Sequence, residues 1–133
     1  MQQQIAQIAI LVHDYDEAIV FYTHQLQFNL LEDVVLAEDK RWVLVAPKGK
    51  SGSRLLLAKA NTEQEKAAVG NQAGGRVFLF LTTDNFERDY QNLLDNDVLI
   101  VRKPVTEVYG TVAVFADLYG NLWDLIQPAT ANK

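Results

Sequence analysis

Two stretches of this chain, 70 residues apart, follow one plan: a short apolar strand-like run, then an acid-capped amphipathic helix. In the first, "IAQIAILV" (5–12) has the β-branched apolar character of a strand covered on both faces. Asp14 then stands as N-cap with Glu17 three residues on, and Tyr15, Ala18, Ile19, Tyr22 and Leu26 recur at helical spacing. In the second, "RVFLFLTT" (76–83) is the strand. Asp84 is the expected N-cap, Glu87 follows, and Phe86, Tyr90, Leu93 and Leu94 form the apolar stripe. A degenerate internal repeat of this kind requires two similar modules.

Each helix is followed by three strand-like segments. They fall near 28–36, 41–46 and 54–58 in the first half, with "PKGKSGS" (47–53) as a turn, and near 98–102, 111–116 and 121–126 in the second, with "DLYG" (117–120) as the last turn. The expected fold is therefore α+β: two β-α-β-β-β modules, about 1–60 and 75–128, whose curved mixed sheets enclose a cleft. The polar, glycine-ended stretch 61–74 joins them as a linker with at most one helical turn. A half of this size buries too little surface to stand comfortably alone, so the two sheets are expected to face each other or a second chain, and 1–133 reads as one domain.

Composition removes several function classes. A net charge of -5 with scattered Lys and Arg argues against a nucleic-acid partner. The chain has no cysteine, which rules out a disulfide, a thiolate metal site and a cysteine nucleophile. The N-terminal apolar run is too short for a signal peptide core or a membrane span, so the expected location is the cytoplasm. No phosphate-binding glycine loop and no nucleophile elbow is present.

Two polar residues interrupt otherwise apolar strand faces. Asp124 lies within "NLWDLI", sharing a face with Leu122 and Ile126, and Gln7 shares one with Ile5, Ala9 and Leu11. A carboxylate in such a place is either paired, with Arg41, Arg54 and Arg76 as candidate partners, or it faces a ligand. A glutamine amide there needs several hydrogen-bond partners, and Asp124 is one candidate.

The paired β-α-β-β-β plan, the segment "IAQIAILVHDYDEAIVFYTHQLQFNLLED" and the ending "FADLYGNLWDLIQ" together resemble the vicinal oxygen chelate superfamily, which contains glyoxalase I, extradiol dioxygenases and bleomycin-resistance proteins. The resemblance covers nearly the whole chain and implies a homodimer. It speaks to fold more than to activity, because one scaffold carries many chemistries.

Metal-dependent members supply His, Gln or Glu from four inward strand positions. The resemblance carries these onto Gln7, Leu56, Phe78 and Asp124. Two of the four are hydrocarbon, whereas a catalytic divalent ion needs about three protein ligands. His13, at the strand–helix junction, and His24, late on the helix, read as surface residues. The expectation is a metal-free protein that binds a small organic molecule in an apolar, aromatic cleft. Gln7, Trp42, Leu56, Phe78, Tyr109, Phe115 and Asp124 are its candidate ligand contacts, with Tyr109 placed by the resemblance at the rim. The rival is a lyase or dioxygenase with a divalent metal on an incomplete ligand set, held by Gln7 and Asp124, or a metal-free proton transfer by Asp124.

Overall fold

The computed structural model describes residues 1–49 and 51–130. The chain forms two compact units, Met1–Gly70 and Asn71–Lys133, each with its own sheet. The first contains β1 (Gln7–Val12), α1 (Tyr15–Val20), β2 (Asn29–Ala37), β3 (Lys40–Ala46), β4 (Arg54–Lys59) and α2 (Glu63–Ala68). The second contains β5 (Val77–Thr82), α3 (Phe86–Asp95), β6 (Leu99–Glu107), β7 (Gly110–Ala116) and β8 (Leu122–Pro128). The strand orders are β1-β4-β3-β2 and β5-β8-β7-β6. In both sheets the first strand pairs parallel with the last and all other pairings are antiparallel, so the sheets are mixed, as the α+β expectation required. Of the expected turn over 47–53, Lys50 lies outside the described residues.

The helix starts follow local chemistry. Asp14 accepts from the Glu17 N–H at 2.9 Å, as the sequence predicts. The cap of α3 is Asn85 rather than Asp84: its side chain accepts from the Arg88 N–H at 3.1 Å. Asp and Asn are nearly equal as caps, so tertiary bonds decide the position. The Asn85 N–H donates to the Thr83 hydroxyl at 3.0 Å, and the Phe86 N–H donates to Gln127 Oε1 of β8 at 2.8 Å. The stretch 61–74 holds α2, started by a full capping box between Thr62 and Glu65. After α1 the backbone widens into a π-turn over Phe21–Gln25, which buries Phe21 and Tyr22 side by side.

The helices α1 and α3 each cover one face of their sheet. In the first unit the covered face carries Ile10, Val12, Val43, Val45, Leu55 and Leu57, all buried. It is fixed to α1 by Arg41, which bonds Asp16 at 2.9 Å and Asp33 at 2.7 Å and lies 5.2 Å from the centre of the Tyr15 ring. In the second unit the Gln127 bond sets α3 against the face that carries Phe115, Trp123 and Leu125. Phe86 and Leu93 are the buried residues of that helix.

β6 runs past Pro104 to Glu107, beyond the expected stop at 102. Proline cannot donate to a ladder and is tolerated at an edge or a bulge, and here it has both: β6 is an edge strand, and its register shifts between Arg102 and Val105. At the other end of the same hairpin Gly110 has φ 149°, and a Cβ there would lie 2.2 Å from the Gln127 carbonyl oxygen, so only glycine fits.

The turn before β8 is organised by one buried acid. Asp117, 6% exposed, accepts from the Tyr119 and Asn121 N–H groups at 2.9 Å each and from the Asn121 side-chain amide at 2.8 Å. Its backbone pairs with Asn121 across Gly120, which has φ 102°. Replacing this carboxylate strands three donors. Asp117→Ala is expected to destabilise the protein by more than about 2 kcal/mol in urea denaturation at pH 7.

Candidate functional site

The face of the second sheet opposite α3 carries Asp124. Its cross-strand neighbours are Phe80 on β5 and Val114 on β7, and Val114 is in turn opposite Arg102 on β6. Phe80, Asp124, Val114 and Arg102 thus form one row across four strands. The adjacent rows on this face contain Leu122, Ala116 and Leu99 on one side, and Ile126, Val112 and Val105 on the other. Phe80 is 66% exposed and Leu99 67%, while Val112, Val114 and Ala116 of β7 are buried, so accessible hydrocarbon flanks the carboxylate and the guanidinium on the outer strands.

Bulges decide who belongs to this row. β5 shifts register between Val77 and Leu79, which puts Val77 and Phe80 on the Asp124 face although they are three residues apart. The neighbour of Asp124 is therefore Phe80, and Phe78 falls at the bulge. A second shift between Ile100 and Arg102 places Leu99 and Arg102 on the same face. Strict alternation would have put Arg102 on the other face from Leu99, which is why alternation alone does not point to it as a site residue.

Among the described residues the Asp124 carboxylate makes no hydrogen bond and no ion pair. Burial pushes its carboxyl above the usual carboxylate range, and the positive field of Arg102 opposes the rise. Arg41, one of the partners considered for it, is committed to Asp33 and Asp16, and those two carboxylates hold its guanidinium above its ordinary value.

The other candidate residues divide between the units. Gln7, Trp42 and Leu56 share the uncovered face of the first sheet: Gln7 is opposite Arg54, Leu56 is opposite Ala9 and Leu44, and Trp42 is opposite Val34. Phe115 is set apart from Asp124, because it lies on the α3 face, fully buried and stacked on Trp123 with ring centres 5.7 Å apart. Tyr109, 58% exposed, belongs to the β6–β7 turn. Five residues separate it from Val114, about 16 Å of strand. His13 and His24 are exposed and lie off the strands.

The donor set fits a divalent ion poorly. The positions matched to ligands supply one amide oxygen, one carboxylate and two hydrocarbon side chains, and Phe80, which takes the place beside Asp124, is hydrocarbon as well. Among the described residues no three His, Asp or Glu side chains are grouped for metal binding.

Two mixed four-stranded sheets of β-α-β-β-β connectivity, with the carboxylate at the middle of the last strand, place the chain in a known class. It belongs to the glyoxalase/bleomycin resistance protein/dioxygenase superfamily, whose family model matches residues 4–125. An uncharacterized protein of Shewanella frigidimarina (strain NCIMB 400) is 57% identical over 128 residues, covering 96% of this chain and 95% of that protein. The crystal structure of UcmS2 superposes with a TM-score of 0.82 at 29% identity, over 95% of this chain and 98% of that one. TnmS3, an antibiotic binding protein from Streptomyces sp. CB03234, superposes with a TM-score of 0.78 at 28% identity, over 96% and 98% of the two chains. No helix among the described residues is long and apolar enough to cross a membrane.

The raised Asp124 carboxyl sets a pH dependence. A folded-state pKa above the unfolded one means that the protonated acid favours folding. Its contribution is fully present below the ordinary value of 3.8 and is lost as pH rises through the higher folded value. Asp124→Asn removes this slope. The variant is expected to match or exceed the parent at pH 7, by at most about 1 kcal/mol, and to lose that advantage as pH falls to 4, as read by urea denaturation across that range.

Proposed function

We propose that this protein binds a small organic molecule without a metal, on the Asp124 face of its second sheet. The observation that carries the reading is an unpaired, part-buried carboxylate on an apolar face with Phe80 and Leu99 accessible beside it. Such a carboxylate is the natural partner of a cationic or hydrogen-bond-donating group on an otherwise apolar ligand. The likeness to an antibiotic binding protein supports binding rather than turnover as the activity. In this reading the protein is a cytoplasmic homodimer. Support for the dimer comes from the accessible hydrocarbon of the edge strands, Val35 and Leu36 on β2 and Val101 on β6.

Two measurements test it. Elemental analysis after chelation and reloading with Fe(II), Mn(II), Ni(II) or Zn(II) is expected to find well below one equivalent of metal. Stoichiometric uptake that is lost in Asp124→Asn would overturn the metal-free reading. Biphenyl-4-ylmethylamine, an aromatic hydrocarbon with one ammonium, is expected to bind and to lose about tenfold in affinity in Asp124→Asn, by NMR titration of the second unit's amides.

A further inference from the structure

Asp124 is not alone on its face. Arg102 occupies the same cross-strand row, two strands away with Val114 between them, so the two backbones stand about 10 Å apart. No ion pair joins Arg102 to Asp124 or to any other acid among the described residues. The remaining acids and bases of this unit that are paired lie on α3 or just before it, where Arg88 bonds Asp84 and Asp89. In the middle of this face Asp124 and Arg102 thus stand on either side of buried Val114, neither in an ion pair, with Phe80 beyond Asp124 and Leu99 and Val105 flanking Arg102 on β6; Glu107, the other acid of this face, lies at the far end of β6 opposite Gly110.

From this juxtaposition we infer that Arg102 is the second polar anchor of the binding face, and that the ligand is amphoteric: an apolar body with a cation or donor at the Asp124 end and an anion or acceptor at the Arg102 end. This deepens the proposed function and rests on it. Two like-charged anchors would select a dication or a dianion, and a single anchor would be indifferent to the far end of the ligand. Opposite anchors across an apolar strip instead penalise any ligand with the wrong charge at either end, because each leaves a charge facing hydrocarbon or its own sign. Arginine suits this place, since its planar fork can take a carboxylate, sulfonate or phosphate with two parallel bonds while its stem lies along the strip. The bulge at Val101 is what turns Arg102 to this side, and it is a feature of an edge strand that can adjust to a bound molecule.

The test compares three probes on the intact protein by NMR titration: 4'-(aminomethyl)biphenyl-4-carboxylate, which carries both charges at opposite ends of one body, biphenyl-4-ylmethylamine, and biphenyl-4-carboxylate. The amphoteric probe is expected to bind about tenfold more tightly than either single-ended one, in line with one added charge-assisted contact. Arg102→Ala is expected to abolish that advantage without weakening the amine, and Arg102→Lys to restore part of it. Both variants are at an exposed position, so their folding is expected to be unchanged. If the amine binds through Asp124 and the added carboxylate gains nothing, or if the gain survives Arg102→Ala, the role of Arg102 is overturned while the proposed binding face stands. If none of the three binds, the proposed function itself fails.

Discussion

Each unit is closed by one parallel pairing, β1 with β4 in the first and β5 with β8 in the second. This pairing joins strands about 45 residues apart in the chain, and everything else in the unit is organised around it. The three later strands of a module are linked by short turns and could pair as a meander by themselves. The first strand can join only after the helix has crossed over the sheet, which covers one face with α1 or α3 and leaves the other face uncovered by the unit's own helix. The helices α1 and α3 therefore do more than pack. They determine which face of the last strand is core and which is available for binding.

In the second unit that division separates two residues that look alike in sequence. Phe115 and Phe80 are both aromatic residues on strands, yet Phe115 is stacked on Trp123 beneath α3 while Phe80 lies open beside Asp124. Asp117 and Asp124 make a similar contrast. The first is buried and accepts three N–H bonds, so it builds the turn that aims β8. The second sits seven residues later with no such bonds, and its desolvation is left uncompensated within the unit. A carboxylate held this way is a poor choice for stability, and ligand binding is the use we propose for it.

Much of the scaffold was legible because it rests on short-range rules. Helical spacing after Asp14, alternation in "TVAVFA" and "NLWDLI", and the turn residues of "DLYGN" each report local geometry, and their repetition reports the module. The family resemblance drew on the same signals. The boundaries that differed did so where a distant partner chose between near-equal options: Asn85 over Asp84 through Gln127, and β6 continuing through Pro104 because it has an edge and a bulge to accommodate it.

By itself the sequence determined two β-α-β-β-β modules and an apolar face interrupted by Asp124. Local periodicity and residue chemistry were enough for these. Only the tertiary structure decided which side chains stand beside that carboxylate. Register across a sheet is fixed by pairing between distant strands, and single-residue bulges at Phe78 and Val101 reverse the side to which the next residues point, β6 shifting once more between Arg102 and Val105. That is why Phe80 rather than Phe78 stands beside Asp124, and why Arg102 shares its row.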